Sequence, residues 1–221
     1  MNLLHLTRTL PFQRRKNHHI GIRTDTPLKL LHIDVTRYTC KNGAKTFIYV
    51  VKDNFSKAIL CAKAALELRS SITIQCINDI YEKYLKTISC SVQIMSDGGP
   101  ENNHIKKWIF EKKNTSSIEH IAAQIDVEHS NSMVEAANRS LKYYGLFQMH
   151  IPDFAALQPA LDFIVNDYNT RPNNTISGLT PCEVLENKSV NDIFLNNTKT
   201  VITKTVRIIE NRKSKCCNYS F

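Results

Sequence analysis

No apolar run in this 221-residue sequence approaches the roughly 20 residues that a membrane-spanning helix needs. The purest stretch is Phe47-Ile48-Tyr49-Val50-Val51, so no membrane span is expected. The first residues lack a basic segment ahead of a sustained apolar one, and no signal peptide is expected. The seven cysteines contain no CxxC pair, and Cys216-Cys217 stands in a polar tail. Without that spacing a compact zinc finger is excluded, even though His18-His19 could supply nitrogen ligands. An odd, irregularly spaced cysteine set argues against a disulfide framework and for a reduced cytoplasmic setting. There is no internal repeat. A hydrophobic content of 42% is ordinary for a globular chain. The length suits one substantial domain with flanks, or two small ones.

Excess charge is missing from the middle of the chain. The net charge is +9, yet residues 26–198 carry 18 basic and 18 acidic side chains. The surplus lies at the ends. Residues 1–25 hold Arg8, Arg14, Arg15, Lys16 and Arg23 against Asp25, and residues 199–221 hold six bases against Glu210. Basic arms on a neutral body suit a polyanion such as DNA, because each phosphate contact adds affinity without reading sequence. Solvated basic termini are the plainer alternative.

Pro11, Gly21 and Pro27 break any periodicity in residues 1–28, which read as an irregular arm. Strands are predicted over 29–36, 46–52 and 57–63, separated by the turns Lys41-Asn42-Gly43 and Asp53-Asn54-Phe55-Ser56. Such close spacing implies an antiparallel meander. Ser70 or Ser71 is expected to cap a helix reaching about Lys86, and a fourth strand follows at 92–96. A right-handed crossover through that helix would lay the fourth strand parallel to the first. Further helices are predicted over 101–112, 131–148 and 153–169, with a short strand at 117–121. Thr180 caps a last helix that has Pro181 in its first position, and a weak strand signal covers 200–209.

Three carboxylates stand out against this outline. Asp34 closes the apolar run Leu30-Leu31-His32-Ile33, and Asp97 follows Val92-Gln93-Ile94-Met95-Ser96 and leads into Gly98-Gly99-Pro100. Glu135 lies in the predicted 131–148 helix, 37 residues beyond Asp97. If the first and fourth strands are parallel, both aspartates emerge at the same sheet end. Acids so far apart in sequence gain a common role most easily by holding a divalent metal, and hard oxygen ligands suit magnesium. Glu135, Arg139 and Lys142 stand at i, i+4 and i+7, so one helical face presents an acid followed by two bases. Each acid also has a structural explanation. Ser132-x-x-Glu135 reads as a capping box, Glu135–Arg139 as an i,i+4 ion pair and Asp97-Gly98 as a turn. Asp34 fits such an explanation least well, since a strand acid between Ile33 and Val35 is costly to bury without a partner.

Taken together, His32-Ile33-Asp34-Val35-Thr36, Asp53-Asn54-Phe55-Ser56-Lys57, Ser96-Asp97-Gly98-Gly99-Pro100-Glu101-Asn102, Asn131-Ser132-Met133-Val134-Glu135-Ala136-Ala137-Asn138, Asp167-Tyr168-Asn169-Thr170-Arg171-Pro172 and Gly178-Leu179-Thr180-Pro181 resemble, in order, the DDE transposases and integrases of the retroviral integrase superfamily. The likeness covers about residues 30–185 and is strongest to bacterial insertion-sequence transposases. It implies an α/β, ribonuclease H-like fold: a five-stranded mixed sheet, three antiparallel then two parallel strands, with helices on both faces. The domains would be a basic arm at 1–28, a catalytic core at 29–189 and a basic tail at 190–221.

The resemblance further implies that Asp34, Asp97 and Glu135 hold Mg2+, with Mn2+ as a substitute, and catalyse DNA nicking and strand transfer. Arg139 and Lys142 would face the transposon end, and Arg14, Arg15 and Lys16 would add contacts to DNA. Only 33 residues precede Asp34, fewer than the helix-turn-helix region such transposases place there, so a separate DNA-binding subunit is expected. Self-association is implied, since two DNA ends must be joined. The implied location is the bacterial cytoplasm, at the nucleoid. The alternatives are a non-catalytic DNA-binding remnant of a transposase and a ribonuclease H-type nuclease.

Overall fold

Leu31, Ile33 and Val35 face one side of the first strand and His32, Asp34 and Thr36 the other, the two-residue period of an extended chain. In the computed structural model of this protein, residues 22–86, 88, 91–112, 117–123 and 132–186 are described. Arg14, Arg15, Lys16, most of the 1–28 arm and the 190–221 tail lie outside them. Strand β1 (Leu30–Thr39) pairs antiparallel with β2 (Lys45–Asp53), which pairs antiparallel with β3 (Ile59–Ala65). Helix α1 (Ser70–Ile80) and a π-helical turn at Tyr81–Leu85 cross over to β4 (Val92–Ser96), parallel to β1. Helix α2 (Ile105–Lys112) leads to β5 (Ile118–Ala122), parallel to β4. The order across the sheet is β3-β2-β1-β4-β5. This is the expected five-stranded mixed sheet, and it makes β1 the central strand.

Two apolar cores sandwich that sheet. Leu31, Ile33, Tyr49 and Val51 pack against Cys76, Ile77 and Ile80 of α1 and Ile105 and Trp108 of α2. On the opposite face, Tyr38, Ile48, Val50 and Ile59 meet helix α3 (Ser132–Tyr143) through Val134, Ala137 and Leu141. They also meet helix α4 (Phe154–Thr170) through Leu157, Leu161 and Ile164. Asp34 belongs to the α3 side by strand alternation, which is why an acid there can be answered by a helix.

Side-chain amides fasten α4 to the edge strand. Asn169 accepts from Ile59 N at 2.9 Å and donates to Ile59 O at 2.8 Å. Gln158 does the same with Ala64 N at 2.8 Å and Ala62 O at 3.1 Å. These amides occupy backbone groups of β3 that a second chain could otherwise pair with. At the β2–β3 turn, fully buried Asp53 accepts from Leu28 N (2.9 Å), Ser56 N (2.7 Å) and Ser56 Oγ (2.6 Å). The Asp53-to-Lys57 motif is thus a turn lock that also ties the 22–28 segment to the sheet.

Several boundaries differ from expectation. Strand β3 begins at Ile59 rather than residue 57, because Lys57 adopts a left-handed φ of 66° to close the turn. Neither Ser70 nor Ser71 caps α1. The N-cap is Arg69, held by Tyr49 Oη, which accepts from Arg69 N at 2.7 Å and donates to Arg69 O at 3.2 Å. The helix expected over 131–148 ends at Tyr143, and a 3-10 turn covers Leu146–Gln148. Gly145 sits at the break because a Cβ there would lie 2.7 Å from Ile164 and from Leu141 O. Thr180 caps helix α5 (Pro181–Leu185) with Pro181 in its first position, as expected, and Glu183 returns the bond to complete a capping box.

Lys52 on β2 is buried, with its ammonium 5.4 Å from the centre of the Tyr168 ring. Burial lowers its pKa to about 8, assisted by the charge of Lys57 and opposed by Asp53. Between pH 8 and the ordinary lysine value the unfolded chain binds more protons at this position than the folded one, so the contribution of Lys52 to stability rises with pH. Lys52→Met is therefore expected to stabilise the protein near neutrality, by up to about 3 kcal/mol. That gain should shrink toward pH 10, as read by urea denaturation of both proteins at each pH.

Candidate active site

Asp34 lies at the centre of the sheet, paired with Val50 on β2, and β4 ends one residue before Asp97. The parallel β1–β4 pairing sets His32 opposite Met95, so both aspartates arrive at the same end. Each is held by an asparagine. Asn138 Nδ2 on α3 donates to Asp34 Oδ2 at 2.7 Å. Asn102 Nδ2 donates to Asp97 Oδ1 at 2.8 Å, and Gly99 N donates to the same oxygen at 3.2 Å. The Asp97-Gly98-Gly99 turn is thus real, and it aims the carboxylate.

Half-buried Asp34 has its pKa raised to about 6. Burial is the largest cause. A hydrogen bond from the Val35 backbone opposes it, and the negative charges of Asp97, Glu135 and Glu101 add to it. Asp97 and Glu135, both singled out in the sequence, therefore act on Asp34, joined by Glu101. Glu101 follows Pro100 in a short 3-10 turn and is buried, its carboxylate folded over Gly99. A Cβ on Gly99 would fall 2.6 Å from Glu101 Cδ, so only glycine leaves that acid its place.

Along one side of helix α3, burial falls from Asn138 through half-buried Lys142 to exposed Glu135 and Arg139. Asn138 and Lys142, one turn apart, look toward Asp34. Burial lowers the Lys142 pKa, and the charge of Asp34 works against that shift. Glu135 and Arg139 lie on the exposed side, and no ion pair within 4 Å joins them. The structure thus brings Asp34, Asp97, Glu135 and Lys142 into one electrostatic neighbourhood and leaves Arg139 at its outer edge. Asn102, Asn138 and Glu101 belong to the sequence motifs, and their roles emerge only in the structure. Their placement beside acidic residues was the only available signal.

Chemically this is a cluster with more acceptors than donors. Asn102 Oδ1 and Asn138 Oδ1 are buried without a hydrogen-bond partner among the described residues, beside the carboxylates their own amides hold. Buried polar atoms of native proteins are normally satisfied, by water or an ion where no protein donor is present. The carboxylate and amide oxygens gathered there are hard ligands, the chemistry that magnesium selects. Among the described residues, no three His, Cys, Asp or Glu side chains stand close enough to hold one ion.

No protein-family model and no curated protein matches the sequence. Solved structures do match. A chain of the simian T-cell lymphotropic virus intasome, determined by cryo-electron microscopy in complex with the PP2A regulatory subunit B56 gamma, superposes with a TM-score of 0.62 at 20% identity over 76% of this chain. The catalytic core domain of BIV integrase gives 0.54 at 22% identity over 74% of this chain and 98% of its own. The fold is that of a retroviral integrase catalytic core. It is ribonuclease H-like, with strand order and helix placement as expected from the sequence. The integrase-type core spans 58% of the length of the intasome chain.

The charge coupling can be read directly. In metal-free protein, carboxyl NMR should show Asp34 titrating near pH 6. Glu101→Gln should lower that midpoint by removing one of the neighbouring anions. A midpoint unchanged in the variant would show that Glu101 does not act on Asp34.

Proposed function

We propose that this chain is the catalytic core of a DNA transposase or integrase, a metal-dependent polynucleotidyl transferase that nicks DNA ends and joins them to a target. The observation that carries the reading is Asp34. It is an acid on the central strand whose proton is held by burial and by three surrounding carboxylates, with a lysine and an asparagine directed at it from α3. Such a site is costly for a fold to maintain unless positive charge enters it during function.

Asp34, Asp97 and Glu135 would hold the metal, magnesium or manganese. When bound, it supplies charge neutralisation on phosphate oxygens and activation of the attacking oxygen. The chain itself does the positioning. Asn138 and Asn102 orient the two aspartates. Lys142 places a cation where a scissile phosphate would lie, and Arg139 extends positive charge along the helix toward the flanking DNA. Arg14, Arg15 and Lys16 would add sequence-independent contacts to the backbone. The DNA substrates would be transposon ends and target, bound by an assembly of more than one copy, with a separate subunit supplying end recognition in a bacterial cytoplasm.

A non-catalytic DNA-binding remnant is the second reading. It is favoured by the absence, among the described residues, of three acids close enough for one ion. A strand-transfer assay with labelled end oligonucleotides in magnesium or manganese separates the two. Wild-type protein should join DNA, and Asp97→Asn should retain the fold by circular dichroism while losing all joining. Undiminished joining by that variant would sink the assignment. Cleavage of the RNA strand of a hybrid, without DNA joining, would instead indicate a ribonuclease H-type nuclease.

Lys142→Ala should weaken DNA binding at every sequence tested and reduce the salt dependence of log K by about one unit of slope. Binding titrations at low and moderate salt check both effects.

A further inference from the structure

Exposed aromatic side chains crowd the far end of α3. Tyr143 is 59% exposed, Tyr144 79% and Phe147 55%, three large hydrophobics within five residues. Clusters of this kind on a surface mark binding sites more often than scattered single residues do. Two of the three are fixed in place. The Tyr143 and Phe147 rings meet edge to face at 5.3 Å and 83°. Phe147 in turn stacks on Tyr38 of β1 at 6.1 Å and 29°. Tyr38 is buried in the core beneath α3, so the group is anchored to the central strand that carries Asp34.

Its position relates it to the acids. Tyr143 follows Glu135 by eight residues and Arg139 by four, which places it about 12 Å along the helix axis and about 80° round it. Glu135, Arg139 and Tyr143 are all exposed, and together they form a ribbon running outward from the carboxylates through a cation to an aromatic surface. A second cation stands near its end. Exposed Lys41 lies in the β1–β2 turn, whose Lys41 N and Asn42 N donate to Ile151 O and Pro152 O, both at 3.0 Å, just past Phe147.

Resting on the DNA reading above, we propose that Tyr143 and Phe147 form a stacking platform for an unpaired base of the DNA strand whose phosphate lies at Asp34, Asp97 and Glu135. Aromatic faces accept any base, while flanking cations hold the backbone on either side. The alternation of cation and aromatic along one ribbon matches the alternation of phosphate and base in a single strand. A protein partner would have no reason to require that order. Because Phe147 is already held between Tyr143 and Tyr38, little conformational freedom is lost when a base arrives. The ligand class is single-stranded or frayed DNA next to a duplex. The platform therefore selects end structure rather than sequence.

The test measures binding in chelator, where no joining occurs. The full chain is titrated by fluorescence anisotropy with a blunt duplex, and with the same duplex bearing a short single-stranded extension. Wild-type protein should prefer the extended duplex by about tenfold. Tyr143→Ala, at a position outside the core, should remove the preference and leave blunt-duplex affinity unchanged. Tyr143→Phe should retain the preference, since the ring face and not the hydroxyl does the stacking. Phe147→Ala should behave like Tyr143→Ala. Equal binding of both duplexes by wild-type protein, or a preference that survives both alanine variants, overturns the proposal. So does a sedimentation result in which Tyr143→Ala converts a dimer to a monomer with the preference intact, because the patch would then be a self-association face. Failure to bind either duplex would remove the DNA reading itself, a different outcome from the loss of end preference alone.

Discussion

The 2.7 Å hydrogen bond from Asn138 Nδ2 to Asp34 Oδ2 couples the central strand of the sheet to the helix that carries Glu135. The two residues are 104 positions apart in sequence. Their contact requires that β1 be central, that Asp34 face the α3 side and that α3 present its Asn138 edge inward. Each condition is met by packing. Val134, Ala137 and Leu141 bury the neighbouring stripe of α3 against Ile48 and Val50, which leaves Asn138 and Lys142 at the border of the core, directed at the acid. If α3 turned by one residue, it would place Ala137 or Arg139 there instead.

A second asparagine, Asn102, does the same for Asp97, but locally, across five residues. The two aspartates are therefore aimed by different means, one by tertiary packing and one by a turn. Charge then sets the character of the site. Four carboxylates gather where one of them is half-buried, and the resulting rise in the Asp34 pKa is a cost the fold carries. The orphaned oxygens of Asn102 and Asn138 belong to the same imbalance, an excess of acceptors that a hydrated cation would correct. The aromatic group at the end of α3 lies on the exposed half of the helix that displays Glu135 and Arg139. Catalytic and stacking chemistry would thus share a single rigid element, as a precise site requires.

Residues that look functional in a motif turn out to divide by role. The Asp53-to-Lys57 run and Asn169 hold the ends of strands with satisfied hydrogen bonds. Glu101, overlooked beside the more prominent Asp97, is instead one of the four charges acting at the site. Motif membership marks both kinds, because a turn lock and a ligand are equally intolerant of change.

Strand and helix order, the central place of β1 and the arrival of both aspartates at one sheet end were legible in the sequence. They depend on side-chain period and on the handedness of a crossover, which are properties of local chain geometry. The Thr180 cap, with Pro181 in the first helical position, was legible for the same reason. The early end of α3 was not, because Gly145 is dictated by Ile164 of another helix. Nor was the rearrangement around α1, where Tyr49 displaces a serine cap. The proton affinity of Asp34, the entry of Glu101, the burial of Asn138 and part-burial of Lys142 beside exposed Glu135 and Arg139, and the joining of Phe147 to Tyr38 were decided only by tertiary structure. Electrostatic and ring–ring energies depend on distances between residues far apart in the chain, and those distances exist only once the two cores have packed.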